Sequence, residues 1–195
     1  MGSVSYTHLD VYKRQGYVLG AIFNFFIGAI LFAGSVVDFQ MGLSMSTIYD
    51  SQSNSSISLS ANLFNIIFML CFLTTDAHLV ILRIFISSAE IVPYGSIGLG
   101  QNMSAAALDL FVQFMSLGMR LAMPMLAVQL FVEIGVGILM KAVPQINIFV
   151  VNIQAKILIG LIILLILFFP MADFLKGSID VLIESLRSML SVMGT

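Results

Sequence analysis

The chain has 195 residues, 59% hydrophobic and 9% charged, with a net charge of −2. Soluble domains carry about 25% charged residues. A chain this apolar is therefore an integral membrane protein or the hydrophobic subunit of a membrane complex, and its slightly acidic balance leaves no basic footprint for nucleic acid.

Residues 1–15, MGSVSYTHLDVYKRQ, are polar and stop abruptly at Gly16. They lack the apolar core and cleavage site of a signal peptide. SVSYTHLDVYKRQ resembles a translated sequencing-adapter read-through. The leader is expected to be foreign and to add nothing to the fold, with residues 16–195 forming one domain. The first apolar block runs from Gly16 to Val37. Its positions Gly16, Gly20, Asn24 and Gly28 recur every four residues, a small-residue stripe where a second helix backbone can come close. Asp38 to Asn62 reads as a linker rich in Ser, Asn, Gln and Thr.

A second block, Leu63 to Ile91, is interrupted by TTDAH at 74–78, which predicts either two helices in a tight hairpin or one long helix with a polar waist. Pro93 closes it, and Gly95, Gly98 and Gly100 mark a loop. The third block, Ser104 to Met140, contains Pro124. Before that proline Asp109, Gln113, Ser116 and Arg120 share one helical face; beyond it Gln129 and Glu133 turn to another, as a kink allows. The fourth block, Ile146 to Phe169, is long enough to cross a bilayer yet holds Asn147, Asn152, Gln154 and Lys156. Asn152, Lys156 and Gly160 stack at four-residue spacing.

The tail differs from all four. Leu175, Ile179, Leu182, Leu186, Met189 and Met193 alternate spacings of four and three, opposite Lys176, Asp180, Glu184, Arg187 and Ser191. From Met171 to Met193 this is an amphipathic helix, lying on a surface or docked on a partner rather than spanning. The fold class is all-α, with membrane-type hairpins of long, kinked helices and an amphipathic C-terminal helix.

No catalytic set emerges. Asp76 and His78 point to different sides of a helix, no third ligand has metal-site spacing, and the glycine loop lacks the Gly-Lys-Ser/Thr ending of a phosphate cradle. His78 reads as structural, and the lone Cys71, in an apolar run, as a small buried hydrophobe. One cysteine permits neither an internal disulfide nor a thiolate cluster. No cofactor is expected. What remains is a set of charges inside apolar blocks: Asp76, Arg83, Asp109, Arg120, Glu133 and Lys156. Read as buried, they mark a transport path or burial against other proteins. No internal repeat of the kind many carriers show is found, which favours a subunit of a larger assembly.

Three stretches carry a resemblance. DFQMGLSMSTIYD at 38–50 is similar to the Gln-Met-Gly-Leu-Ser signature of the flagellar export-gate family FliR. DAHLVIL at 76–82 is similar to that family's Asn-Gly-His segment. LAMPMLAVQLFVEIGVGILMKAVPQINIFVVNIQAKILIG at 121–160 resembles its longest shared block, with Pro124, Gly135, Gly137, Pro144, Gln145, Asn147, Lys156 and Gly160 in matching places. The flagellar branch fits better than the related virulence injectisomes. Departures are Asp76-Ala77 in place of Asn-Gly, Asn152 where glycine is common and Gln154 where proline often sits. The family's N-terminal helices are missing, in keeping with truncation behind the leader.

The resemblance implies an all-α subunit, with no bond chemistry of its own, that assembles with FliP and FliQ into a pore through the bacterial cytoplasmic membrane at the flagellar basal body. FlhB stands at the entrance and unfolded flagellar proteins are the cargo. Asp109, Gln113, Ser116, Arg120, Asn147, Asn152 and Lys156 are then expected to face other subunits or pore water. The stretch Met41 to Ser58 is expected to plug the pore at rest, with Gln40, Met41, Gly42, Leu43, Met45, Ile48 and Asp50 as its signature and sealing residues. The alternative is a stand-alone multispan carrier using Asp109, Arg120 and Lys156; a reading frame too truncated to function is the third reading.

Overall fold

The computed structural model describes residues 3–43, 58–91, 101–142 and 148–193, with side chains described for 16–43, 58–88, 103–139, 141–142 and 152–193. Among these residues the chain is helical and contains no strand. Six helices follow in order: α1 (Ser3–Met41), α2 (Leu59–Thr74), α3 (Ala77–Ile91), α4 (Gln101–Ala142), α5 (Ile148–Ile166) and α6 (Phe168–Met193).

Where each helix stops is explained by local chemistry. α1 ends because Gly42 adopts a φ of 78°, a left-handed conformation that glycine enters without penalty. The Gly42 amide donates to Phe39 O at 3.1 Å and the Leu43 amide to Asp38 O at 3.0 Å, the paired bonds of a Schellman ending. α2 starts at Ser58, whose Oγ accepts from the Ala61 amide at 3.2 Å, the usual N-cap geometry. It stops at Asp76, a non-glycine residue with a φ of 55°. Asp tolerates this conformation better than most residues. The Asp76 carbonyl then accepts from the Leu79 and Val80 amides and opens α3. Thr74 and Thr75 hydroxyls donate back to carbonyls in the preceding turn, which favours bending.

These observations resolve the interrupted block: α2 and α3 meet at 71°, so they form neither a straight helix with a polar waist nor a folded-back hairpin. α4 runs unbroken through Pro124. α5 and α6 meet at 60°, because Pro170 offers no amide to Ile166 O and its ring crowds that carbonyl.

Two boundaries differ from expectation. The linker read at 38–62 is shorter, since Asp38 to Met41 belong to α1 and Leu59 to Asn62 to α2. The backbone of residues 3–15 is the start of α1, with no break at Gly16; how its side chains pack lies outside the described residues.

The chain divides into two compact units. Residues 1–29, 68–117 and 175–195 form the first. Its core is aromatic: Phe26, Phe68 and Phe114 are wholly buried, and the Phe26 ring lies 5.3 Å from each of the other two. Phe72 extends the cluster to Phe23 and to the His78 ring. α6 contributes Leu175, Ile179, Leu182, Leu186, Met189, Leu190 and Met193, all buried, while Lys176, Asp180, Glu184, Arg187 and Ser191 are exposed. The apolar and charged sides fall as the spacing predicts. The partner is different, because this face is already covered by the chain itself. Taking one leucine side chain out of water contributes roughly 1.5–3 kcal/mol, and the seven buried side chains together hold the tail within this unit.

The second unit comprises residues 30–67 and 118–174. Its core is built from Ile30, Val37, Met41, Phe64, Leu121 and Met125. Here Gly34 meets α2 so closely that a Cβ on it would lie 2.2 Å from Ala61 Cα.

Among the described residues two helical stretches, Gly16–Met41 and Met103–Leu139, are long and apolar enough to cross a membrane, and each bent pair could form one further span. Large apolar side chains face outward on several helices, among them Phe85, Phe131, Leu165 and Phe169. Lipid or other proteins must cover such a surface.

Candidate functional site: a polar seam between α4 and α5

The polar residues of the second unit converge on one seam. On α4, Gln129 and Glu133 are one helical turn apart; on α5, so are Asn152, Lys156 and Gly160. Packing brings the two sets together. Lys156 Nζ is hydrogen-bonded and ion-paired to Glu133 Oε1. One turn along, Gln129 Nε2 donates to the Lys156 backbone carbonyl at 3.3 Å. Gln129 is wholly buried, and among the described residues its Oε1 has no hydrogen-bond partner; nor has the buried Oδ1 of the half-buried Asn152.

Gly160 makes the seam possible. A Cβ there would fall 2.7 Å from Gln129 Nε2 and from Met41 Cε, and 2.8 Å from Met41 Cγ. Met41, the last residue of α1, therefore fills the space over the glycine and is itself wholly buried. An unbranched thioether suits such a gap because it adapts to irregular walls.

Three residues before Met41, a second polar cluster ties α1 to α2. Asp38 is nearly inaccessible. Its carboxylate accepts from Ser58 Oγ at 2.6 Å, from Ser60 Oγ at 2.5 Å and from the Ser60 amide at 3.1 and 3.2 Å. An anion is stabilised there by the free amides and dipole at the start of α2.

Several sequence expectations change. The charges read as buried are not buried by this chain itself: Asp76, Arg83, Asp109, Arg120 and Glu133 are exposed and Lys156 is half-buried, so any burial comes from other molecules. An all-apolar helix does not disclose which side faces inward, and a charge reaches the chain's outside more cheaply than its core. Gln113 and Ser116 are also exposed. Among the described residues no helix packs on the stripe Gly16, Gly20, Asn24 and Gly28: nothing lies within 4 Å of a Cβ placed on Gly20 or Gly28, and a Cβ on Gly16 meets a Phe85 ring atom at 3.9 Å. Close backbone approach occurs at Gly34 instead.

Met41 is wholly buried in the core of the second unit, and Gln40 is helical and half-buried. Gly42 and Leu43 form the Schellman turn just described, while Met45, Ile48, Asp50 and Asn147 lie outside the described residues. Asp38 was read as linker, and its role was missed because its serine partners lie 20 and 22 residues away. Among the described residues no group of three His, Cys, Asp or Glu side chains could hold a metal ion.

The half-buried pair sets up a test. The Lys156 side chain is 16% exposed and that of Glu133 41%. Glu133→Ala leaves an ammonium in apolar surroundings and is expected to cost about 1–3 kcal/mol, between the values for exposed and buried pairs. The double variant Glu133→Leu, Lys156→Met should stay within about 1 kcal/mol of the parent. A double-mutant cycle on Tm in detergent measures both, and equal losses in the single and double variants would contradict the coupling.

Comparison with known proteins places this seam. The profile of the family described as "Bacterial export proteins, family 1" matches residues 15–182. The chain belongs to this bacterial export family. The match contains the Asp38 cluster and the whole α4–α5 seam. The chain is 27% identical over 146 residues to the flagellar biosynthetic protein FliR of Escherichia coli (strain K12), covering 75% of this chain and 56% of that protein. It is 28% identical over 168 residues to FliR of Buchnera aphidicola subsp. Acyrthosiphon pisum (strain APS), with 86% and 65% covered. With FliR of Bacillus subtilis (strain 168) it shares 26% over 186 residues, with 92% and 70% covered. The chain thus spans less than two thirds of the length of the first two. A stand-alone carrier finds no support in these relatives.

Proposed function

We propose that the chain is a subunit of the flagellar protein export gate, helping to form the path by which unfolded flagellar proteins cross the bacterial cytoplasmic membrane. Family membership over residues 15–182 carries this reading. The surface of α4 supports it. Asp109, Gln113, Ser116 and Arg120 are each exposed among Leu108, Phe111, Val112, Met119 and Met123. Charges on an apolar helix are expensive against lipid, so these positions favour protein or pore water as their surroundings. The open small-residue stripe of α1 is the second face we assign to a neighbouring helix. FliP, FliQ and FlhB are the partners this reading requires. The chain performs no bond chemistry in it; it shapes a conduit.

Co-expression with FliP and FliQ tests the reading. The tagged chain should be recovered in a stable complex containing both proteins, and cysteines at Gln113 or Ser116 should cross-link to one of them. Recovery as a stable species without either partner, with those cysteines reaching only lipid-soluble probes, would overturn it.

A further inference from the structure

We propose that the Met41–Gly160–Gln129 contact is a releasable latch, which holds the C-terminal turn of α1 on the α4–α5 seam at rest and lets go during export. The inference rests on the export-gate reading above and deepens it.

Three features set this contact apart from ordinary core. First, the end of α1 meets the seam through a flexible side chain, the wholly buried Met41 seated over Gly160. Second, the seated state is imperfect. Gln129 Oε1 is buried beside the contact and finds no donor among the described residues. Buried acceptors without partners oppose the closed arrangement, and in native proteins such groups call for a specific explanation. Release of Met41 would return Gln129 Oε1 to polar company, so closed and open states lie nearer in free energy than a fully satisfied contact would allow.

Third, the polar ties on either side are separate from this contact. Asp38 keeps the preceding turn of α1 on the start of α2 through four hydrogen bonds. The Glu133–Lys156 pair holds α4 to α5 one turn farther along. Met41 lies between these two ties, directly before a glycine at positive φ. A methionine leaving its seat therefore need not break either.

The test uses a Met41→Cys, Gly160→Cys pair in a Cys71→Ser background, in cells whose flagellar export depends on this protein. A Cβ at residue 160 would lie 2.8 Å from Met41 Cγ, which is one bond from Met41 Cβ. Two cysteine Cβ atoms would then be no farther apart than about 4.3 Å, within the span of a disulfide. Oxidation should lower secretion of flagellar proteins at least tenfold (on the order of 1.4 kcal/mol), reductant should restore it, and each single cysteine should be indifferent to both. Complete cross-linking with unchanged secretion would overturn the latch and show a static anchor. Should the pair fail to assemble, Met41→Cys alone decides: its reactivity toward a membrane-impermeant thiol reagent should rise during active export and fall when export is blocked. Equal reactivity in both conditions would overturn the proposal. Failure of the unmodified protein to support export would count against the gate reading instead.

Discussion

Gly34→Leu should abolish accumulation of the folded chain, and Gly34→Ala should already cost about 2–4 kcal/mol. A Cβ at this position meets Ala61 Cα at 2.2 Å, Ala61 N at 2.3 Å and Ser60 C at 2.7 Å. These are backbone atoms, so no rotamer change can relieve the contact. α1 and α2 would have to separate. Overpacking in a tight core typically costs 1–3 kcal/mol when side chains can yield, and here they cannot. Separation would also draw Asp38 away from Ser58 and Ser60, whose hydrogen bonds to a charged acceptor contribute about 1.5–3 kcal/mol each. Gly28→Ala supplies the control: nothing lies within 4 Å of its Cβ, and alanine favours a helix by roughly 1 kcal/mol over glycine. Protease resistance in isolated membranes and Tm in detergent measure the contrast. Equal behaviour of the Gly34→Ala and Gly28→Ala variants would reject the crossing.

This contrast marks where sequence reading stops. Gly16, Gly20 and Gly28 stood out because they repeat, whereas Gly34 did not, because a crossing point needs one glycine only. Repetition describes one helix; the crossing depends on a second helix more than 20 residues away. α6 was legible for the opposite reason. Its apolar and charged residues are sorted to opposite sides, so the sequence alone says which side packs. It could not say against what, and the answer proved to be the chain's own first unit. α4 and α5 are apolar nearly all round, so their periodicity reveals a helix without an orientation. Asp109 and Arg120, expected to face other subunits or pore water, lie on the outside of this chain.

The seam was half visible. Gln129 and Glu133, and Asn152, Lys156 and Gly160, were each legible as a polar file on one helix. Their meeting was not, since the pairing links positions 23 and 27 residues apart. Met41 is legible in the sequence only as part of the stretch expected to plug the pore. Its burial against Gly160 is a packing fact that neither residue announces.

The second large effect is expected at Asp38. Asp38→Ala removes an acceptor serving Ser58 Oγ, Ser60 Oγ and the Ser60 amide, and it takes an anion away from a helix N-terminus. Two hydroxyls and an amide would be left in an interior where water does not readily replace the carboxylate, and each unsatisfied group costs about 1–3 kcal/mol. A total loss of about 3 kcal/mol or more is expected, near the whole margin of a small folded unit. Asp38→Asn should fall between. Its amide oxygen can still accept from Ser60, and its Nδ2 can donate to Ser58 Oγ, which has a second lone pair beside the one serving the Ala61 amide. Ser60→Ala should cost least, about 1 kcal/mol, because the Ser60 amide keeps its bond to the carboxylate. The ranking Ala, then Asn, then the serine variant distinguishes a carboxylate that fastens two helices from one that is merely polar. It should appear both in Tm and in protease protection of the α1–α2 junction. Because Gly34 and Asp38 act on one crossing, Gly34→Ala combined with Asp38→Ala should cost less than the sum of the two. Full additivity would mean that the glycine contact and the carboxylate stabilise different parts of the unit, and the single α1–α2 junction described here would have to be abandoned.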